Sequence, residues 1–365
     1  MPLSGSHPLV SGVTADAPLL AAYQGRKPSR RPVWFMRQAG RSLPEYKQVR
    51  QGTQMLEACL TPELASEITL QPVRRHDVDA GIFFSDIVVP LKLAGLDVEI
   101  KPGVGPVFAE PIRTAEQVAA LPRLQDSALD PIREAVRLTV AELGSTPLIG
   151  FAGAPFTLAA YMVEGKPSRD HLGPRRLMHS DPETWAALAS WAADVSGQFL
   201  RAQIEAGASA GQLFDSWGGS LSRADYDALV KPASARALAA VADLGTPLVH
   251  FGVGTGELLP SMLDAGATVM GVDYRVPLDE AESRLGGNVP LQGNIDPALL
   301  SAGWEPLKAH TLDVLARGAV APGHVVNLGH GVPPDADPEV LTRLVSFIHS
   351  VPVDANPRTW ESQEA

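Results

Sequence analysis

The sequence predicts an α/β protein built as a single-domain (β/α)8 TIM barrel, and three observations carry that expectation. Eight short apolar runs recur along the 365 residues. Most are continuously apolar rather than alternating, as parallel strands buried on both faces require. Helix-period patterns with clear start signals separate the runs, and no Pro/Gly/Ser-rich linker or low-complexity segment divides the chain.

In chain order the predicted strands are residues 33–36, 80–84, 148–151, 211–214, 248–251, 268–272, 289–291 and 324–328. Thr61-Pro62-Glu63 opens the first long helix, with Thr61 as N-cap and Pro62 at the first helical position. Asp181-Pro182-Glu183 opens another, which runs through Trp191 and Phe199 to a stop near Gly207. Residues 222–244 and 277–285 continue the alternation. The stretch from Pro90 to Pro131 is longer than a crossover needs, and an added hairpin or excursion is expected there.

Composition narrows the function. Hydrophobic residues make up 45% of the chain, enough for one large core, and the formal net charge of -11 argues against nonspecific binding to nucleic acid or an anionic membrane. Cys59 is the single cysteine, which leaves no disulfide framework and no Cys-based metal site. No segment has the apolar length of a membrane span, and residues 1–16 lack the basic start and apolar core of a signal peptide. The expectation is a cytoplasmic protein with a flexible arm at 1–16, a catalytic barrel over 17–353 and a polar tail at 354–365.

Chemistry is expected where the strands end, because the C-terminal ends of barrel strands converge on one rim. The first strand runs into Arg37-Gln38-Ala39-Gly40-Arg41, two guanidiniums around a glycine, closed by Pro44. Fixed, permanently charged forks in a Gly-containing loop suit a carboxylate or phosphate. A surface ion pair is the commoner fate of a lone arginine, but two directly after a buried strand favour a receptor. Asp86, in Phe83-Phe84-Ser85-Asp86-Ile87, is one carboxylate between apolar runs. It must be paired or hydrogen-bonded, either with Arg37 or with N–H donors of a ligand. In Gly150-Phe151-Ala152-Gly153-Ala154-Pro155-Phe156-Thr157 the chain turns from strand into helix, and Tyr161 lies about one turn beyond Thr157. Packing is the favoured role for Thr157, a functional hydroxyl for Tyr161. Ser216 and His330 end two further strands.

Gly252-Val253-Gly254-Thr255-Gly256, with Asp273 ending the next strand, imitates a dinucleotide fingerprint. Its third glycine comes one residue early and it sits deep in the chain, so a tight turn before a helix at Thr255 is the better reading. His250, inside an apolar run, reads as a core histidine. Cys-x-x-Cys, His-Glu-x-x-His and Gly-x-x-x-x-Gly-Lys are all absent, so thiolate zinc, zincin and P-loop chemistry have no motif to rest on.

From about Pro32 to about Pro352 the chain resembles the uroporphyrinogen decarboxylase family. The resemblance rests on Pro-Val-Trp-Phe-Met-Arg-Gln-Ala-Gly-Arg, Phe-Ser-Asp-Ile, Gly-Phe-Ala-Gly-Ala-Pro-Phe-Thr-Leu with Tyr-Met-Val-Glu-Gly, Leu-Phe-Asp-Ser and Asn-Leu-Gly-His-Gly. Ser42 stands where the family often has an aromatic, and Trp217-Gly218 replaces a variable pair. The resemblance implies a cofactor-free, metal-free homodimer that takes uroporphyrinogen III, with four acetates and four propionates, to coproporphyrinogen III. It implies catalytic roles for Asp86 and Arg37. It also implies a substrate site made of Arg37, Gln38, Ala39, Gly40, Arg41, Asp86, Tyr161, Ser216 and His330. Arg37 is a proposed general acid in this family, although a guanidinium pKa of ~12.5–13.8 makes it a poor donor unless perturbed. A related zinc-dependent barrel that methylates thiols would need a Cys and His ligand set, which Cys59 alone does not supply. A non-catalytic tetrapyrrole carrier would have no need of the intact arginine and aspartate positions.

Overall fold

A computed structural model describes residues 3–360. Its barrel strands are β1 (Gly81–Ile82), β4 (Leu148–Gly153), β5 (Ala210–Asp215), β6 (Leu248–Gly252), β7 (Val269–Gly271), β8 (Leu291–Gln292) and β9 (His324–Val325), while β2 (Val98–Lys101) and β3 (Gly105–Phe108) form a separate hairpin. The seven barrel strands pair in that order, all in parallel, as a curled sheet. Every residue of β4 and β6 is buried, as helices packed outside and side chains packed inside demand.

The expected first strand, residues 33–36, is reduced to one parallel bridge, Val33 to Val326. The reason lies in what pairs with its amides. Val326 N–H donates to Pro32 O at 2.8 Å and Trp34 N–H to Val326 O at 3.2 Å, while Asp79 N–H reaches Val33 O at 2.8 Å on the other side. The remaining amides go to side chains instead of a ladder. Val33 N–H donates to Asp79 Oδ2 at 2.8 Å, Phe35 N–H to Gln38 Oε1 at 2.9 Å and Met36 N–H to Asn327 Oδ1 at 3.0 Å. Buried Asp79 also accepts from Arg30 Nε at 2.7 Å and pairs with His349 Nε2 at 2.8 Å. Side chains thus stitch the first segment between β1 and β9 and close the circle that the ladder leaves open. The wholly buried Trp34 and Phe35 hold it from inside, each worth roughly 1.5–3 kcal/mol of apolar burial.

Several helices begin where the sequence signals put them. Thr61 and Asp181 precede helices Pro62–His76 and Pro182–Ala206, Gly207 ends the second, and Leu278–Leu285 matches the 277–285 pattern. The 222–244 pattern is broken. A short turn Arg223–Asp225 leads into a π-helical turn Tyr226–Val230 before Lys231–Ala242 resumes as α-helix. Pro232 explains the break, since its ring clashes with the carbonyl of residue i−4 and it has no N–H to donate. The helix expected at Thr255 starts later, at Leu259–Asp264, and a turn fills the gap.

The long stretch after Pro90 carries the β2–β3 hairpin, whose Phe108 N–H donates to Gly165 O at 2.8 Å. Of the segment expected as a loose arm, residues 3–16 form turns against the barrel. His7 is buried with Nε2 bonded to Ile204 O at 2.8 Å, and Thr14 Oγ1 meets Ser209 Oγ at 3.1 Å. Residues 361–365 of the expected tail lie outside the described residues, whereas Trp360 packs edge-on against Phe347 at 5.7 Å.

Candidate active site

Arg37 follows the first segment directly and adopts φ 61, a left-handed conformation that costs a residue with a side chain roughly 1–3 kcal/mol. Two contacts hold it there. Val332 N–H donates to Met36 O at 2.8 Å, and Gly331 lies so close that a Cβ there would sit 2.5 Å from Arg37 Cδ. The loop after β9 therefore packs on the arginine stem, and only glycine permits that approach. Gln38 turns inward. Its amide is wholly buried, with Oε1 on Phe35 N–H and Nε2 donating to Ala80 O at 3.0 Å, so its side chain secures the loop. Ala39 and Gly40 form a half-buried turn that ends at exposed Arg41, whose charge is felt by Tyr46. Among the described residues neither Arg37 nor Arg41 has a side-chain hydrogen bond or ion pair, unlike Arg75, Arg201, Arg236 and Arg317, so both forks remain available to an anion.

Asp86 follows β1. Its Oδ1 accepts Val88 N–H at 3.0 Å in a local turn that aims the carboxylate, and it makes no ion pair with Arg37. Burial raises its pKa, while Val88 N–H and the charge of Arg37 pull it back. Cys59 is buried against Asp86, and burial together with that carboxylate pushes its thiol far up, leaving it inert.

Tyr161 stands on helix Pro155–Glu164, reached from β4. Its half-buried ring stacks on Trp217 at 3.9 Å between centroids, and Trp217 also stacks on His171 at 4.1 Å. Burial, then the negative charge of Asp86, push the phenol up to about 12, against the pull of Arg37. Ser216 ends β5 beside Trp217, partly exposed. His330 is exposed after β9. Desolvation by its surroundings, then the charge of Arg37, lower its pKa, so it is neutral near pH 7.

Arg37 is the common neighbour, close enough to bias the titration of Asp86, Tyr161 and His330. Three groups from distant parts of the chain thus share a rim with it. Ser216 joins through Trp217 and Tyr161, and Arg41 stands outermost.

The dinucleotide look-alike has a structural use. Gly254, at φ 71, donates its N–H to Asp273 Oδ2 at 2.7 Å, and Asn294 Nδ2 donates to Asp273 O at 2.8 Å, so the aspartate ties rim loops together. Among the described residues no group of three or more His, Cys, Asp and Glu is arranged to hold a metal ion.

Four residues behind the rim escaped the sequence reading as a unit. Buried Thr157 donates to Asp215 Oδ1 at 2.9 Å. Asp215 Oδ2 is unbonded and faces His250 Nε2 at 3.9 Å, and the Tyr226 hydroxyl is also buried without a partner. Burial pushes Asp215 up to about 7 and His250 down to about 4. His250 is only half satisfied, by Met262 O at 3.3 Å to Nδ1. The Leu-Phe-Asp-Ser motif was the available signal, but nothing in the linear sequence joins Asp215 to Thr157.

Residues 14–351 match the family model described as uroporphyrinogen decarboxylase (URO-D). The chain is 74% identical over 342 residues to "Uroporphyrinogen decarboxylase" of Arthrobacter sp. (strain FB24), covering 94% of this chain and 99% of that one. It is 61% identical to the protein of that name from Leifsonia xyli subsp. xyli, covering 95% and 98%. Among solved structures, a methyltransferase from Methanosarcina mazei superposes with TM-score 0.75 at 17% identity, over 92% of this chain and 98% of that one, a likeness of fold alone.

Proposed function

The chain belongs to the uroporphyrinogen decarboxylase family, and from that membership we propose how its residues perform the reaction. The protein is a carboxy-lyase of tetrapyrrole biosynthesis that decarboxylates uroporphyrinogen. The finer reading takes uroporphyrinogen III through four losses of CO2 to coproporphyrinogen III, within one barrel domain over residues 17–353.

A carboxylate on a carbon attached to a pyrrole leaves only if the ring accepts the bonding pair. Protonation of the ring carbon beside the acetate makes the ring a cationic sink. The C–C pair then flows toward the ring, CO2 departs, and the exocyclic methylene left behind takes a proton to become methyl while the ring carbon returns its own. In this reading Asp86 receives the pyrrole N–H groups and stabilises the cation, a fixed charge aimed at charge that develops in the reaction. Bound pyrrole N–H donors and the cation would hold Asp86 ionised against the burial that raises its pKa. Arg37 and Arg41 hold carboxylates, neutral His330 and the Tyr161 and Ser216 hydroxyls add uncharged hydrogen bonds, and Ala39 and Gly40 shape the turn between the forks. Gln38 contributes by keeping that turn in place.

The observation that carries the reading is the guanidinium of Arg37, free among the described residues, beside the half-buried carboxylate of Asp86 that it does not pair with. A polycarboxylate whose core carries N–H donors complements both. The direct test is Asp86→Asn, which keeps volume and removes charge. The expected loss is at least about 10²–10³ in kcat, the size seen when a fixed electrostatic partner of a transition state is removed. Anaerobic turnover with product chromatography measures it, and a folded variant of normal kcat would exclude Asp86 from the reaction.

We further propose a homodimer in the cytoplasm, on family membership. No helix among the described residues is long and apolar enough to cross a membrane. Sedimentation equilibrium showing only monomer at working concentration would refute the dimer.

A further inference from the structure

Behind the rim, one hydrogen-bond chain links the two elements that present Tyr161 and Ser216. Ala154 N–H donates to Phe214 O at 2.8 Å, tying the start of helix Pro155–Glu164 to β5. One turn on, Thr157 donates its hydroxyl to Asp215 Oδ1 at 2.9 Å, and its oxygen accepts Trp217 N–H at 3.3 Å. Thr157 and Asp215 are both 0% exposed. The threonine therefore ties the Asp215 side chain to the Trp217 backbone, on either side of Ser216. Trp217, held through its N–H, lays its ring on Tyr161, a residue of the same helix as Thr157. The loop is closed. Thr157 sets Trp217, and Trp217 sets the ring that the Thr157 helix carries. Gly218 completes it, because a Cβ there would come 3.0 Å from Asp215 Cγ.

We propose that Thr157 and Asp215 are positioning residues for decarboxylation, fixing Ser216 and the Tyr161 hydroxyl relative to each other through Trp217. An ordinary packing role would call for an apolar residue at each position. A buried carboxylate with one oxygen unbonded is a costly substitute, and it is hard to account for unless the oxygen that is bonded serves a purpose. Displacements of about 1 Å in a reacting arrangement cost up to roughly 10²-fold in rate, so a single hydrogen bond at this place has leverage on turnover.

The inference rests on the reading above that Tyr161 and Ser216 touch substrate, and the experiment separates the two. Thr157→Val keeps shape and deletes the hydroxyl, and Thr157→Ser restores it. The expected result is a fall in kcat of about 10-fold or more for Thr157→Val, with KM within about twofold, and recovery by Thr157→Ser to within about threefold of wild type. The near-ultraviolet circular dichroism of the Trp217–Tyr161 stack should change in the valine variant and return in the serine variant. A folded Thr157→Val with wild-type kcat overturns the proposal, as does equal loss in both variants. If Thr157→Val does not fold, Trp217→Leu at the partly exposed ring carries the test, and unchanged kcat there is equally fatal. Tyr161→Phe and Ser216→Ala run alongside. Wild-type kinetics in both would sink the site assignment itself, whereas losses there with a normal Thr157→Val would sink only the relay.

Discussion

Arg37 is held in a left-handed conformation, has no side-chain partner among the described residues and biases three neighbouring titratable groups. If it orients an acetate for reaction, Arg37→Lys should lower kcat by about 10-fold or more with a smaller change in KM, because lysine keeps charge but loses the planar fork. Arg41→Lys, at the exposed outer position, should chiefly raise KM. Steady-state kinetics at two ionic strengths separate these outcomes, and a lysine variant at position 37 with wild-type kcat would contradict the assignment. Asp215 makes a prediction about stability. Its carboxyl titrates near pH 7 when folded and near ~3.9 when unfolded, so ionisation disfavours the fold. Stability from this group is complete below the unfolded value and is lost as pH rises from about 4 to about 7, at most roughly 4 kcal/mol. His250 acts in the opposite direction: lowered to about 4, it loses stability as pH falls from about 6.5. Thr157 and Tyr226 complete the surroundings and stay neutral throughout. Asp215→Asn should therefore gain on wild type between pH 5 and pH 8 in urea denaturation. A difference that does not vary with pH would show that the carboxyl does not titrate as described.

At the scale of elements, the site depends on how loops lean on one another after the strands end. Gly331 is the clearest case, since a methyl group there would meet Arg37 Cδ at 2.5 Å and Cγ at 2.8 Å. The arginine stem is the softer partner and should move. Gly331→Ala is expected to reduce kcat by about 10-fold or more while the melting temperature changes by only a few degrees. Coupled melting and turnover measurements decide it, and intact turnover would mean that the stem relaxes without moving its fork. The first segment shows how an element can be a strand in sequence and something else in space. Its apolar run is legible, but its amides are taken by Asp79, Gln38 and Asn327, so only Val33 keeps a bridge. A periodicity argument has no access to which side chains compete for the ladder. The hairpin after Pro90 and the helix starts at Pro62 and Pro182 were legible because length and a proline at the first helical position are local; Asp181 also caps its helix, whereas the Thr61 hydroxyl bonds Glu57 O instead.

Over the whole molecule, an acidic chain collects at one rim two arginines that are unpaired among the described residues, which suits a polyanionic substrate and sets its field locally rather than globally. The lone cysteine is buried and inert, and the described residues offer no metal-holding cluster. Exhaustive chelation should accordingly leave turnover within about twofold of the untreated enzyme. Activity abolished by chelator and restored by one divalent ion would overturn that expectation. By itself the sequence determined the parallel barrel, and it pointed to the rim and to Arg37, Arg41, Asp86, Tyr161, Ser216 and His330 as candidates for the site. Continuous apolar runs, helix caps and the polar residues ending each strand are all written in neighbouring positions. Tertiary structure alone decided that Gln38 serves the loop from inside and that the tight turn at Gly254 is held by its N–H donating to Asp273. It also decided that Thr157 bonds Asp215 across 58 residues of chain. Each of those outcomes depends on which buried donor meets which acceptor once the core has closed. That pairing is set by packing and by the cost of an unbonded polar group, and neither is visible along a line of residues.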